Sequence, residues 1–429
     1  MLPQEEPDDR QKVTFKLPSS LKADLKIRAA ELGVDIQDAV ASAMDEWRAS
    51  SPDGIAPVDT AGAPPFATWL TDPMITQFKA ECSSRGIPYV QGLAQAVTRW
   101  LDAHPSPRHR PPEQKTRRII VCNQKGGVGK TAVTSGLGGA LAEDKRRALE
   151  AGGAFPGAAE VARLNALLQK ADQETEAQPD APVEADESYD APELRVLMVD
   201  YDPQGHLSKQ LGVKQLHAAG PSLAKFMARQ ATGDIRDLIV PIDEDAFGGR
   251  LDLLPSCQDA FLLDVMISTA RNRQATLERA LEPLEQHYDV IIIDCPPSLG
   301  MAMDAAIYYG RHRDGEREGD SGILIVVQAE DSSADAFSML VEQIDDGMAD
   351  WRIQATYLGL VVNLYDARDG YVVTSSLNEW HALGEPRVIG VIPRRKEQRE
   401  AARARRPLLA YDPSCPQSRV MRQIVKEIS

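Results

Sequence analysis

The chain has 429 residues and a formal net charge of −16, with 43% hydrophobic and 26% charged residues. Its length exceeds one typical domain, and its composition is that of a globular protein able to bury a core. No apolar run approaches the roughly 20 residues of a membrane-spanning helix, and the acidic start, residues 1–9, lacks the features of a signal peptide. The five cysteines are scattered, which favours a reducing cytosol over a disulfide or zinc framework.

A strand followed by two helices is predicted twice near the start of the chain. Polar and apolar residues alternate over 12–17, which is typical of a half-buried strand, and apolar residues at helical spacing follow as far as Trp47. The pattern returns without a gap at an offset of 53, so that Leu17 matches Leu70 and Trp47 matches Trp100. We therefore predict a small α+β domain over residues 1–102, made of repeats 12–48 and 65–101.

Each repeat resembles a ribbon-helix-helix module. The resemblance implies that the two strands pair into a ribbon that enters the major groove of DNA. In the first strand, alternation places Lys12, Thr14 and Lys16 outward, where they suit contacts to bases or phosphates. The second strand has less suitable residues at the matching positions, namely Pro65, Ala67 and Trp69. Two interpretations stay open: a DNA-binding domain, or a module for dimerisation or partner binding.

A proline-rich, basic linker over residues 103–116 precedes a second domain, predicted over 117–429. This domain begins with an apolar, β-branched strand at 119–122, a loop that reads Asn-Gln-Lys-Gly-Gly-Val-Gly-Lys-Thr, and a helical run of small residues. A strand, a glycine loop and a helix in this order are the context of a phosphate-binding P-loop. The glycines let backbone N–H groups approach phosphate oxygens. A glycine-rich turn without a ligand is the alternative.

The loop carries two lysines, Lys125 and Lys130, and resembles the deviant Walker A box, KGGxGK[ST], of the ParA/MinD family of ATPases. The resemblance implies an α/β fold of the P-loop NTPase type, with a mostly parallel sheet flanked by helices. It also implies a homodimer that forms on ATP binding, in which Lys125 reaches the partner's nucleotide. The residues expected to bind ATP in this loop are Lys125, Gly126, Gly127, Val128, Gly129, Lys130, Thr131 and Ala132.

Two further motifs place carboxylates after apolar strands. The run 194–199 leads into Asp200-Tyr201-Asp202-Pro203-Gln204-Gly205, and a second apolar run leads into Asp294. The carboxyl ends of parallel strands face the crevice where α/β sheets bind ligands. The resemblance implies that Asp200 and Asp294, together with Thr131, lie at a Mg²⁺ ion and that Asp202 positions the attacking water. Lys125, Lys130 and Asp202 are the expected catalytic residues.

An insertion of about fifty residues, 143–193, lies between the P-loop helix and the next strand. A helix is predicted over 156–171, and residues 172–193 carry nine acidic and no basic side chains. This composition is typical of a solvated segment. A role in binding a partner is the alternative.

Positive charge collects at the C-terminal end, where residues 387–429 hold eleven Lys and Arg against four acidic residues, a net charge of +7. The resemblance implies that Asn363, Pro393 and Arg395 contact the adenine and that Arg368 binds DNA non-specifically. We add two arginines of the basic segment to the DNA-binding surface, Arg399 and Arg403. The final apolar residues, 418–428, predict a helix that packs on the domain, with a membrane-surface helix as the alternative.

Together these resemblances imply a Mg²⁺-dependent ATPase that is weakly active without its partner. It would dimerise on ATP, bind DNA non-specifically and segregate plasmid or chromosomal DNA with a ParB-like centromere-binding protein, as a cytoplasmic, nucleoid-associated protein. Repression of its own operon through the N-terminal domain would be an added role. The alternatives are a MinD-like or other cargo-positioning ATPase, and a protein that acts chiefly as an ATP-switched repressor.

Overall fold

The computed structural model describes residues 10–32, 34–50, 57–104, 115–144, 192–242, 244–268, 270–329 and 334–429. The chain divides into two compact units, Met1–Pro111 and Pro112–Ser429. The helix predicted over 156–171 lies outside the described residues, as do most of the acidic insertion and of the proline-rich linker.

Both repeats of the first unit form a strand and two helices. The elements are β1 (Arg10–Lys16), α1 (Ser19–Leu32), α2 (Ile36–Ala49), β2 (Pro65–Thr71), α3 (Asp72–Ser84) and α4 (Tyr89–Ala103). The two strands pair antiparallel, and Thr14 lies opposite Ala67. These two positions are related by the repeat offset, since 67 − 14 = 53. Equivalent residues of the two repeats therefore face each other at the centre of the ribbon, and one chain supplies both strands.

Alternation along the ribbon separates a buried side from an exposed side. Phe15 and Phe66 point inward and belong to a core that also holds Trp47, Phe78 and Trp100. On the opposite side Lys12, Thr14 and Lys16 are exposed, and Trp69 is 50% exposed. The outward placement predicted for these side chains is therefore observed. The likeness to ribbon-helix-helix modules itself stays a prediction.

The second unit is built from alternating strands and helices. Its strands are β3 (Arg117–Cys122), β4 (Val196–Asp200), β5 (Val240–Pro241), β6 (Leu251–Leu254), β7 (Val290–Asp294), β8 (Gly322–Gln328), β9 (Thr356–Tyr365) and β10 (Val388–Pro393). Its α-helices are α5 (Lys130–Ala142), α6 (His206–Gln210), α7 (Leu223–Met227), α8 (Leu263–Ile267), α9 (Thr276–Glu285), α10 (Met301–Tyr309), α11 (Ala334–Trp351), α12 (Tyr371–Ala382), α13 (Glu397–Ala404), α14 (Leu408–Tyr411) and α15 (Pro416–Glu427). The strand predicted to begin at residue 194 begins at Val196, because the N–H of Leu194 donates to the carbonyl of Leu141 at 2.8 Å.

The eight strands form one sheet in the order β10-β9-β8-β3-β7-β4-β6-β5, and only the short edge strand β5 runs antiparallel. This confirms the predicted mostly parallel sheet of a P-loop NTPase. Strand β3 has β7 on one side and β8 on the other. The next strand along the chain, β4, lies on the β7 side, whereas the later strands β8, β9 and β10 continue on the other side. Such a reversal of strand order opens a crevice at the carboxyl ends, where ligands bind.

Two apolar cores cover the two faces of the sheet. Alternate residues of β3 enter different cores: Ile120 packs with α9 to α11, whereas Ile119 packs with α5 and α15. The long continuous apolar strands arise because both faces are buried. Helix α15 buries Val420, Met421 and Ile424 against the domain, as the sequence predicted. Among the described residues, no helix is both long and apolar enough to cross a bilayer.

Candidate functional site

The glycine loop between β3 and α5 forms an open cradle. Gly127 and Gly129 adopt left-handed backbone conformations, with φ of +81° and +95°. A Cβ atom built at Gly126 or Gly127 would meet no heavy atom within 4 Å. The surface of the loop is therefore open to a ligand, and its glycines leave the backbone N–H groups accessible to phosphate oxygens.

Amide side chains from two other strands donate hydrogen bonds to backbone carbonyls of this loop. Asn363 of β9 is 4% exposed, and its Nδ2 donates to the carbonyl of Val128 at 2.8 Å. Gln328, the last residue of β8, donates from Nε2 to the carbonyl of Gly127 at 3.1 Å. A Cβ at Gly129 would lie 2.0 Å from Nδ2 of Asn363, so only glycine fits there without movement. The loop is thus held in place by strands that lie some 200 residues further along the chain.

The two lysines of the loop are linked through the backbone. Lys130 is buried, and its Nζ donates to the carbonyl of Lys125 at 3.1 Å. Burial lowers the pKa of Lys130, although the nearby carboxylate of Asp294 opposes this shift. The N–H of Lys125 donates to Oδ1 of Asn123 at 3.0 Å, which fixes the start of the turn. The two lysines therefore lie on a loop whose backbone is held by hydrogen bonds within the loop itself.

Asp200 and Asp294 lie side by side because they end neighbouring parallel strands in register. Thr131, the second residue of α5, donates from Oγ1 to Oδ2 of Asp294 at 2.8 Å. Burial, followed by the nearby charge of Asp200, raises the pKa of Asp294 to about 8. Burial also raises the pKa of Asp200 to about 6. Burial and mutual repulsion make it unfavourable for both carboxylates to be ionised at once. A bound cation would remove this cost, so the pair is suited to binding one.

Asp200 uses only one of its two oxygens within the described residues. Its Oδ2 accepts hydrogen bonds from the N–H and the Oγ of Ser208, at 2.7 and 2.5 Å, whereas its buried Oδ1 has no partner there. The described residues contain no group of three or more His, Cys, Asp or Glu that could hold a metal alone. The donor set nevertheless fits Mg²⁺, which takes one or two carboxylates together with phosphate and water oxygens.

Asp202 is buried at the entrance of helix α6, with 7% of its surface exposed. Its Oδ1 accepts from the N–H of Gln204 at 2.9 Å, and its carbonyl accepts from Oγ of Ser256 at 2.6 Å. Its charge is near enough to Lys130 to influence the pKa of that lysine. The structure therefore brings Asp202 together with the loop lysine and the two strand-end aspartates.

The predicted adenine contacts lie at the ends of adjacent strands. Pro393 ends β10 opposite Tyr365, two residues beyond Asn363 on β9, and Arg395 follows in the next loop as a half-buried residue. In the structure, the side chain of Asn363 contacts the glycine loop. Contact of Asn363, Pro393 and Arg395 with adenine stays a prediction.

Comparison with known proteins identifies the nucleotide-binding part of the chain. The model of the CobQ/CobB/MinD/ParA nucleotide binding domain matches residues 119–150, and the AAA domain model matches residues 188–351. The first segment holds the two-lysine loop, and the second holds the three aspartates.

This part of the chain is similar to the ParA/MinD family of ATPases.

Among curated proteins, the chain is 25% identical over 313 residues to the sporulation initiation inhibitor protein Soj of Bacillus subtilis, covering 72% of this chain and 97% of Soj. It is 26% identical over 297 residues to the chromosome partitioning protein ParA of Myxococcus xanthus, covering 69% and 82%. Among solved structures, the McdA(D38A)–ATP complex of Cyanothece aligns with a TM-score of 0.51 and 15% identity, covering 72% of this chain and 96% of McdA. That likeness shows the fold alone.

The arginines predicted to bind DNA outside the ribbon are exposed. Arg368 is 79% exposed and pairs with Asp366 at 2.6 Å. Arg399 and Arg403 lie one turn apart on α13, and neither makes an ion pair within the described residues. Other cations of the ParA-type domain are paired: Arg422 with Glu143 at 2.7 Å, and Arg406 with Glu244 at 2.8 Å. The net charge of the C-terminal segment therefore overstates its free positive surface.

Three residues of this ParA-type site were missed by sequence reasoning: Gln328, Ser208 and Ser256. Gln328 ends a parallel strand next to β3, and Ser256 lies two residues beyond the end of β6. Polar residues at the carboxyl ends of strands were a usable signal, because all these ends meet at one edge of the sheet. Ser208 offered no such signal, since its role depends on the turn that follows Asp202.

Proposed function

We propose that this chain is an ATP-hydrolysing partition ATPase. It pairs with a second copy on binding ATP, binds DNA non-specifically and segregates plasmid or chromosomal DNA with a ParB-like partner. The observation that carries the proposal is the convergence of Lys125, Lys130, Asp200, Asp202 and Asp294 around an open glycine cradle. The similarity to the Soj and ParA proteins supports the cellular role.

The residues of the site divide the work of ATP hydrolysis. The backbone N–H groups of residues 126–131 cradle the phosphates, and Lys130 neutralises charge on the β- and γ-phosphates. Thr131, Asp200 and Asp294 would hold Mg²⁺, which would supply further positive charge to the phosphate oxygens. Asp202 accepts a hydrogen bond from the attacking water and orients it. Positioning and electrostatic stabilisation account for most of the catalysis in such reactions.

Lys125 is the residue that makes pairing part of the chemistry. Lys125 comes directly before the first glycine of the loop and is half-buried, whereas Lys130 is buried. In the proposed pair, Lys125 reaches the nucleotide of the second copy and adds a cation from outside. A cation supplied in trans can contribute about 10³–10⁵ in rate, so a single copy hydrolyses ATP slowly.

The test replaces Lys125 with alanine in the full-length protein. We expect ATP-dependent pairing, measured by light scattering, to disappear and ATP turnover to fall by about 10³-fold or to background. Lys214→Ala is a matched control, because Lys214 is an exposed lysine outside the cradle. If the Lys125 variant pairs and turns over ATP like the parent, the proposal is wrong.

Non-specific DNA binding rests on the exposed arginines of the ParA-type domain. Arg399 and Arg403 present two charges on one face of α13, and Arg368 is 79% exposed while its guanidinium pairs with Asp366. Neutralising phosphates with such side chains gives sequence-independent, salt-sensitive affinity. This surface would keep the protein on the nucleoid in the cytoplasm while the ParB-like partner stimulates hydrolysis.

A second function is favoured by the exposed side of the ribbon in the first unit. Lys12, Thr14 and Lys16 project from β1, and the two lysines form no ion pair within the described part of the chain. We propose that this side contacts operator DNA, so that the protein represses its own operon. An electrophoretic shift with the full-length protein and the DNA upstream of its gene tests this role. If unrelated competitor DNA abolishes the shift as effectively as the upstream DNA does, the repressor role is excluded.

A further inference from the structure

Asp200 is held by a serine that none of the family resemblances singled out. Ser208, in α6, is fully buried. Its N–H and its Oγ donate to the same oxygen, Oδ2 of Asp200, at 2.7 and 2.5 Å. Two short hydrogen bonds from one residue to one carboxylate oxygen fix that oxygen in position.

A second serine determines the direction of the hydrogen bond between the hydroxyl of Ser208 and Asp200. Ser256, just beyond β6, donates from its backbone N–H to Oγ of Ser208 at 3.2 Å. Because Oγ of Ser208 accepts there and a hydroxyl carries a single proton, that proton points to Asp200. The hydroxyl of Ser256 in turn donates to the carbonyl of Asp202 at 2.6 Å. One hydrogen-bonded chain therefore ties the end of β6 to both aspartates of the DxDPQG motif.

This arrangement divides the two oxygens of Asp200 between different tasks. Oδ2 receives two donors, whereas the buried Oδ1 has no partner within the described residues. Rotation of the carboxylate would break both bonds to Ser208. The unpaired oxygen is thus fixed at the end of β4, beside Asp294 on β7.

We propose that Ser208 is a positioning residue that fixes Asp200 with one oxygen free for the divalent cation that accompanies ATP. The inference rests on the proposed ATPase function and deepens it. Within the described residues, the hydroxyl of Ser208 forms hydrogen bonds only with Asp200 and Ser256. It acts through Asp200, as the hydrogen-bonding residues behind metal-binding carboxylates commonly do.

The experiment measures how strongly Mg²⁺ promotes nucleotide binding, rather than turnover. Full-length proteins are titrated with a fluorescent ATP analogue, once in EDTA and once in Mg²⁺, and the ratio of the two Kd values is compared. We expect Ser208→Ala to reduce this ratio by about 10- to 100-fold, the usual cost of losing such a supporting residue. Affinity in EDTA should stay near that of the parent.

Two further variants distinguish positioning from packing. Ser208→Thr retains a hydroxyl and should restore most of the ratio. Ser135→Ala is the matched control, because Ser135 is equally buried and its hydroxyl has no hydrogen-bond partner within the described residues. If Ser208→Ala fails to fold, as judged by circular dichroism, Ser208→Cys takes its place, since a thiol of similar size is only a weak donor.

The outcomes separate this inference from the proposed function. An unchanged ratio in a folded Ser208→Ala or Ser208→Cys protein overturns the positioning role, and so does an equal loss in Ser135→Ala. A parent protein that fails to bind the nucleotide contradicts the proposed function instead. A parent whose affinity is the same in EDTA and in Mg²⁺ contradicts the predicted Mg²⁺ site.

Discussion

Asn363 offers the sharpest test of how the fold holds the nucleotide loop. Replacing it with alanine removes the donor to the carbonyl of Val128, a buried group whose partner is 235 residues away in the chain. An unsatisfied buried acceptor costs about 1–3 kcal/mol. Gly129→Ala should cost about 1–2 kcal/mol for a side chain at φ +95°. It should also carry the cost of the 2.0 Å overlap with Nδ2 of Asn363.

The double variant isolates that overlap. In the Asn363→Ala background the new methyl group at residue 129 meets no amide, so Gly129→Ala should then cost only its backbone strain. We expect a coupling of about 1–3 kcal/mol between the two positions, in the range typical of contacting residues. Urea unfolding gives the total, and hydrogen exchange of peptides spanning 119–142 shows whether the loss is local.

Asn378→Ala serves as the control, because Asn378 is an exposed asparagine on α12. It should leave both measurements within about 0.5 kcal/mol of the parent, as is usual for surface substitutions. The reasoning is refuted if Gly129→Ala is as costly with alanine at 363 as it is in the parent. It is also refuted if Asn363→Ala leaves exchange of the loop peptides unchanged.

Three further predictions concern charge. Arg422→Ala leaves the buried carboxylate of Glu143 unpaired and should lower the free energy of unfolding by about 3–5 kcal/mol. Replacing both residues with leucine should lower it less. Urea unfolding of both variants measures the two changes. Burial and the neighbouring Arg236 lower the pKa of His287 to about 4. The contribution of this histidine to stability should therefore be present above about pH 6.5 and be lost toward pH 4, by at most about 3 kcal/mol. As the pH falls across that range, the melting temperature of the parent should fall more steeply than that of His287→Gln, and parallel curves would contradict this. Arg399→Ala with Arg403→Ala should reduce the slope of log affinity for random DNA against log salt by about 0.9 for each phosphate that the protein no longer neutralises, and an unchanged slope places the DNA-binding surface elsewhere.

The parts of the site that the sequence revealed are those encoded in short stretches. The two-lysine loop and the Asp200–Asp202 motif each occupy fewer than ten residues and follow apolar strands, so local pattern was enough. The supporting residues were not visible in this way. Gln328 and Asn363 act on carbonyls 201 and 235 residues away, and only the order of strands in the sheet brings them together.

Charge counting shows a second limit of sequence reasoning. The excess of cations after residue 387 indicated a basic surface, but a count does not distinguish exposed from buried side chains. Arg422 lies in the interior and pairs with Glu143, the first residue of the insertion, and Arg406 pairs with Glu244. The arginines that remain for DNA are therefore fewer, and they lie mainly on one short helix, α13.

The ribbon of the first unit has a consequence for its behaviour on dilution. Its register is centred on Thr14 and Ala67, which belong to the same polypeptide. A ribbon shared between two chains comes apart as protein concentration falls, and its melting temperature falls with it. Here the strand pairing is a unimolecular property, so melting of this unit should be the same at micromolar and nanomolar concentrations. A copy of the protein without nucleotide would still carry a whole ribbon.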